Sequence, residues 1–185
     1  MNLLLDKLPT EYEGLKIETN FRSFILFELL MQDRNIPEKE KIALALNIFY
    51  KEIPSDLKKA INGILWFYSR GNSDKKSDKK EEKSSKDKIY SYEYDANLIY
   101  SAFLRDYKID LNEISYLHWF KFKSLFEDLS DENKICKFMQ YRSIDLSKIK
   151  DKEEKKKYKK LKQLCALPDE RTEEEKENDF AEAFW

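Results

Sequence analysis

Seventeen consecutive residues without an apolar side chain divide this sequence, and they constrain its fold more than any other feature. Residues 72–88 read NSDKKSDKKEEKSSKDK, with seven lysines mixed among five acids. Such a segment cannot bury enough apolar surface to offset the entropy lost on ordering, which predicts a charged flexible linker. Any hydrophobic core must therefore be assembled from the two blocks on either side, residues 1–71 and 89–168.

The first block carries turn signals and then apolar residues at helical spacing. Pro9 and Gly14 indicate a short extended or hairpin segment at its start. Three helices are predicted after it, over residues 18–35, 37–53 and 54–71. In the third helix, Ile61, Leu65 and Tyr68 form a stripe that is predicted to face the core.

The second block repeats the helical pattern. Its predicted helices cover residues 92–111, 111–129, 130–144 and 145–167. At 185 residues the chain is long enough for one domain with a substantial core. The predicted fold is therefore mainly α, a single-domain bundle of about seven helices in which residues 89–168 pack with residues 1–71. An acidic tail with an aromatic end, residues 169–185, follows the bundle.

Composition argues against several kinds of chemistry. The chain has three widely spaced glycines, too few for a phosphate-binding loop. Its two cysteines, Cys136 and Cys165, are too few for a zinc cluster or a redox pair and are predicted to be buried free thiols. No run of about eighteen apolar residues occurs. We therefore expect a cytoplasmic protein that is not an enzyme, with no catalytic, cofactor-binding or metal-binding residues and no membrane contact.

The only histidine, His118, lies in the aromatic stretch SYLHWFKFKSLFEDL. On a helical wheel for residues 114–129 it falls inside an apolar arc, without an acid or a cysteine beside it. It is therefore predicted to be a core residue whose nitrogens meet a backbone carbonyl or a hydroxyl. Tyr116 and Phe120 fall on the opposite side, so this helix is either central in the core or shared with a partner.

Two oppositely charged blocks follow each other near the C-terminus. Residues 147–164 hold nine lysines and three acids, whereas residues 169–185 hold eight acids and two basic residues. The blocks can fold back and pair, although exposed ion pairs contribute well under ~1 kcal/mol each. Phe180, Phe184 and Trp185 recur at helical spacing in DFAEAFW, which is typical of a docking motif. Together with Tyr116 and Phe120, they are the predicted partner-binding residues.

Seven phrases spread over nearly the whole chain carry a family resemblance. They are LLLDKLPTEYEGLKIETNFR, EKIALALNIFY, GILWFYSRG, DANLIYSAFLRDYKIDL, YLHWFKF, MQYRSIDLSKIKD and ENDFAEAFW. In this order they resemble the bacteriophage gene-product-fifteen family, whose members are encoded in the tail modules of long-tailed phages and prophages of Gram-positive bacteria.

The resemblance implies a function as well as a family. Genes of this kind lie between those for the major tail protein and the tape-measure protein, where tail-assembly chaperones are commonly encoded. The implied function is a non-enzymatic chaperone that keeps the tape-measure protein soluble in the host bacterial cytoplasm. The major tail protein, a companion tail chaperone and a second copy of the chain are further implied partners.

An alternative is a regulatory or host-directed phage module that contacts nucleic acid. The basic helix at residues 148–162 would supply the contact, and binding would then weaken steeply with rising salt. A balance of 35 basic and 36 acidic residues argues against it, because the chain as a whole has no field that attracts nucleic acid.

Overall fold

A two-stranded hairpin is the first regular structure of the chain. The computed structural model describes residues 2–71 and 88–169, so nearly all of the predicted linker and tail lies outside the described residues. Strands β1 (Glu11–Tyr12) and β2 (Leu15–Lys16) pair in antiparallel fashion. The two turn residues between them have φ angles of 47° and 83°, and the second, Gly14, adopts such a value without steric cost. The predicted hairpin is confirmed.

Seven α-helices follow within the described residues, which confirms the mainly α fold. They are α1 (Phe21–Gln32), α2 (Glu38–Phe49), α3 (Leu57–Tyr68), α4 (Ala96–Tyr107), α5 (Trp119–Glu127), α6 (Lys134–Ser143) and α7 (Lys152–Leu164). The side chains of Asn20, Asp56 and Asp151 accept hydrogen bonds from the free amides at the starts of α1, α3 and α7. None of these helices is long and apolar enough to cross a bilayer.

All four helices of the second block start later than their apolar spacing predicts, and two of them do so for the same reason. The helix predicted over 92–111 starts four residues late, after a turn in which Asp95 accepts a hydrogen bond from a preceding amide. The helix predicted over 145–167 is divided, because Asp145 caps a short 3-10 helix and Asp151 caps α7. Aspartates that bind nearby amides favour helix starts over helix interiors, which explains both differences.

The described chain groups into two compact units. The first contains residues 2–71 and 99–129, and the second contains residues 88–98 and 130–169. Residues 99–129 thus group with the N-terminal block, so the observed division does not follow the charged segment that separates the two predicted blocks. The predicted single-domain arrangement stays a prediction.

The core of the first unit is built mainly from aromatic rings. The ring of Phe24 lies 4.6 Å from that of Phe49 and 4.9 Å from that of Trp119, measured between centroids. Phe122 stacks on Phe103 at 5.0 Å. Burial of each such side chain contributes roughly 1.5–3 kcal/mol. These contacts join residues from both sides of the charged segment, which explains why residues 99–129 belong to this unit.

Helix α3 packs on the core with a different side from the predicted one. The prediction that Leu65 and Tyr68 face inward is wrong, since both are exposed, and Ile61 is half-buried. Gly63 explains the difference: a Cβ atom there would lie 2.8 Å from the hydroxyl of Tyr50, which donates to a backbone carbonyl of α3 (O···O 2.9 Å). The side of α3 that carries small residues therefore lies closest to the neighbouring segments. The buried residues of α3 are Ala60, Gly63, Ile64 and Phe67.

Candidate protein-binding site

Helix α3 presents a row of apolar side chains to solvent. Leu57, Ile61, Leu65 and Tyr68 follow each other at intervals of four, four and three residues, which places them on one side of the helix. Leu57 and Leu65 are 50% and 51% exposed, and Tyr68 is 38% exposed. We call these four residues the α3 stripe. Because Ile61 is half-buried, the exposed surface comes mainly from Leu57 and Leu65, and we take the row as a candidate interaction site.

The C-terminal end of the α3 stripe is fixed by polar contacts. The Tyr68 hydroxyl donates to Oε1 of Glu28 in α1 (2.8 Å), and the Tyr68 carbonyl accepts a hydrogen bond from Nε1 of Trp119 (3.3 Å). The Arg70 guanidinium pairs with the Glu127 carboxylate at 2.8 Å just beyond the helix. These contacts hold the C-terminal end of the stripe on the aromatic core, so that Tyr68 has little conformational freedom to lose when a partner binds.

The segment before α5 is extended rather than helical. The helix predicted over 111–129 begins only at Trp119. His118 caps the helix, because its Nδ1 accepts a hydrogen bond from the Phe120 amide (3.1 Å). An isolated antiparallel bridge joins His118 to Asn20, the cap of α1. The starts of α1 and α5 therefore lie side by side.

His118 is a core residue, as the sequence predicts. Its side chain is buried, and its Nε2 lies 2.9 Å from the carbonyl oxygen of Pro9. Because Nδ1 accepts from an amide, Nε2 of the neutral ring carries the proton and donates a hydrogen bond to the carbonyl oxygen of Pro9. Burial lowers the pKa of His118, and nearby Lys121 lowers it further, against the opposing effect of the Pro9 carbonyl. The ring is therefore held neutral and joins the N-terminal segment to the start of α5.

This arrangement predicts a stability that falls with falling pH. The unfolded chain binds a proton at the ordinary histidine pKa of about 6.5, whereas the folded chain resists it, so acidification between pH ~7 and ~5 favours unfolding. His118→Asn keeps a capping acceptor but cannot titrate. We expect its unfolding free energy to depend less on pH in this window than that of the wild type, as measured by urea denaturation. Equal pH slopes would contradict the role given to His118.

Two of the predicted partner-binding residues lie among the described residues. Tyr116 is 50% exposed, and its hydroxyl lies 2.7 Å from Oγ1 of the buried Thr19, so its ring is available at the surface. Phe120 is only 1% exposed and packs 5.7 Å from the ring of Phe67, which places it in the core, the first of the two alternatives, and its partner contact stays a prediction. The rings of Trp66 and Phe67 in α3 cover this side of α5 at its first turn. Phe180, Phe184 and Trp185 lie outside the described residues and stay predictions.

The second unit contains a buried ion pair that no sequence pattern predicts. The guanidinium of Arg142 in α6 binds both carboxylate oxygens of Asp95, at 2.6 and 3.0 Å. Its other hydrogen bonds go to the backbone carbonyls of Ile89 and Cys165. These contacts account for most of the donors of Arg142, which makes it a structural link between three segments of the unit. No spacing rule relates residues 95 and 142, so only the fold reveals the pair.

The cysteines agree in part with their prediction. Both are free thiols, but Cys165 is buried and Cys136 is only half-buried. Within residues 2–71 and 88–169, no three histidine, cysteine, aspartate or glutamate side chains come together as a group that could hold a metal ion.

The fold defines a small, mainly helical protein with an apolar helix face turned to solvent. The model of the family described as Bacteriophage Gp15 protein matches residues 4–167 of this chain. The chain belongs to that family, which confirms the resemblance noted in its sequence. It is a bacteriophage protein, and its family indicates a role in phage structure or morphogenesis. No curated protein and no solved structure matches the chain.

Proposed function

We propose that this protein is a phage tail-assembly chaperone. In this proposal it is a non-catalytic binding protein that keeps the tape-measure protein soluble in the host bacterial cytoplasm while the tail is built. Membership in the Bacteriophage Gp15 family supports a role in the building of a phage particle. The observation that carries the proposal is the α3 stripe, since a chaperone for an exposed apolar chain needs an apolar surface of its own.

The geometry of the α3 stripe suits a helical partner. Four apolar side chains on one side of a helix form a ridge that packs beside the apolar stripe of a second helix. A tape-measure protein is long and helical, so before the tail tube forms around it, it would offer such stripes repeatedly. Because the α3 stripe is a single helix long, each contact is small, and small contacts release quickly enough for tube subunits to replace them.

The same surface would also suit the further partners implied by the family. The major tail protein, a companion tail chaperone or a second copy of this chain would each cover the α3 stripe if it presented an apolar helix. We favour the tape-measure protein because a long helix that is not yet enclosed by the tail tube exposes the most apolar surface. Cross-linking from a photoreactive residue at position 61 in co-expressing cells would identify which of them lies on the stripe.

The test is a co-expression experiment with stripe variants. Wild-type protein should raise the soluble yield of the tape-measure protein from the same phage. The double variant Leu57→Ser/Leu65→Ser should lose most of that gain, because removing two apolar contacts of about 1 kcal/mol or more each weakens binding by roughly tenfold or more. Both leucines are about half exposed, so the variant should still fold.

A matched control lies on the same helix. Lys58→Ser/Asn62→Ser changes two exposed polar positions of α3 and should keep the full gain in soluble yield. If wild-type protein gives no gain, the chaperone proposal is rejected. If the stripe variant rescues as well as the wild type, the chaperone proposal stands and the contact lies elsewhere.

A further inference from the structure

The second unit contains an open cavity beside its buried arginine. The cavity has a volume of about 520 Å³, which lies within the roughly 300–1,000 Å³ typical of ligand sites. Apolar side chains of Ile89, Ile144 and Leu146 line it together with the basic side chains of Arg142 and Lys162. The acid Asp145 and two serines, Ser143 and Ser147, complete the lining, so its basic side chains outnumber its acid by two to one. A ligand that fits this lining combines apolar groups with negative charge.

The walls of this cavity are held in place by the contacts around it. Arg142 is fixed by Asp95 and by the backbone carbonyl of Ile89, as described above. The ammonium group of Lys162 donates to the carbonyl of Ile144 at 2.9 Å. A site whose side chains are already ordered loses little entropy when it is filled.

We propose that this cavity binds the chain's own acidic segment, residues 170–185, with Phe180 and Phe184 as the apolar anchors. The inference goes beyond the proposed function and does not depend on it.

The length of chain between the cavity and Phe180 supports this occupant. The carbonyl of Cys165 accepts a hydrogen bond from Arg142, which lines the cavity, and the last described residue, Asp169, follows only four positions later. Phe180 lies eleven residues beyond Asp169, so even a partly extended chain, at up to ~3.5 Å per residue, returns to the cavity with length to spare. A ligand tethered by so short a connection has an effective concentration on the order of millimolar, and weak contacts therefore suffice to bind it.

Charge supports the same occupant. Helix α7, which supplies Lys162 to the cavity, carries seven lysines and two glutamates, and six of those lysines are exposed. Residues 170–185 carry seven acids and two basic residues. Single exposed ion pairs are weak, but opposite net charges on adjacent segments favour the folded-back arrangement as a whole. Residues 72–87 contain no apolar side chain that could fill the apolar part of the cavity.

Nuclear Overhauser contacts in the full-length protein test the proposal. In protein labelled at isoleucine methyl groups and at phenylalanine rings, the methyls of Ile89 and Ile144 should show cross-peaks to aromatic protons. The double variant Phe180→Ser/Phe184→Ser should lose them. The matched variant Leu4→Ser/Leu5→Ser, which changes two highly exposed residues of the first unit, should keep them.

Three outcomes overturn the proposal. The first is wild-type protein without these cross-peaks, and the second is cross-peaks that survive in the Phe180→Ser/Phe184→Ser variant. The third is cross-peaks that grow with protein concentration, which would place the segment of a second copy in the cavity. Weakening of the cross-peaks in concentrated salt would support the contribution of α7. No tape-measure protein is present in this experiment, so its result is independent of the chaperone test.

Discussion

Replacing Arg142 with methionine is expected to lower the free energy of unfolding of the second unit by about 3–5 kcal/mol. The Arg142 and Asp95 side chains are only 7% and 4% exposed. Methionine fills a similar volume but leaves the Asp95 carboxylate buried without its opposite charge. It also removes the hydrogen bonds that Arg142 gives to the carbonyls of Ile89 and Cys165. An uncompensated buried charge is far more costly than the loss of an exposed pair.

An exposed pair in the same unit provides the control. Lys148 lies 3.7 Å from Asp145, and its side chain is largely in solvent. Lys148→Met should change the free energy of unfolding by less than about 0.5 kcal/mol. Chemical denaturation followed by circular dichroism measures both variants. Similar small losses in the two would show that the buried pair is not what stabilises this unit.

Replacing Phe24 with alanine should be comparably damaging to the first unit. Phe24 is fully buried, and it lies between the rings of Phe49 and Trp119. Removing a buried phenylalanine costs its transfer free energy and leaves a cavity that stacked rings cannot readily close, together about 3–5 kcal/mol. The packing partners come from both sides of the charged segment, so the loss should affect the unit as a whole.

The control for Phe24 lies two positions along the same helix. Leu26 is 52% exposed, and Leu26→Ala removes nearly as many apolar atoms from a site that is largely in solvent. Its free energy of unfolding should change by less than about 1 kcal/mol. Thermal unfolding followed by the near-ultraviolet signal of the aromatic core compares the two variants. A loss for Leu26→Ala equal to that for Phe24→Ala would mean that ring burial is not the main source of stability.

Helical periodicity predicted the elements of this fold better than it predicted their faces. The three N-terminal helices are predicted from apolar spacing, because that signal is local. In α3, however, Leu65 and Ile64 have the same hydrophobicity, so spacing alone cannot choose between the two sides. The choice depends on the small residues Ala60 and Gly63, which let other segments come close.

The error in α5 also has a local cause that the sequence hides. His118 was correctly predicted to be buried, but histidine is not among the common helix caps, so nothing in its neighbourhood marked the helix start at Trp119. Moving that start takes every residue before Trp119 off the helix, whereas Phe120 lies inside α5 and is buried because the ring of Phe67 packs on it. Three residues of the α3 stripe were predicted to face the core for a related reason, since exposed leucines on an amphipathic helix are indistinguishable in sequence from buried ones.

The pairing of the starts of α1 and α5 has a consequence for the order in which this protein is made. His118 meets Pro9 across 109 positions, and Tyr116 meets Thr19 across 97. At roughly 5–20 residues per second, a ribosome needs on the order of ten seconds to add the residues that separate such partners. During that interval Phe24 has left the ribosome, but Trp119 has not been made. The core of the three N-terminal helices therefore stays incomplete until residues 99–129, which are synthesised later, are available to pack against it.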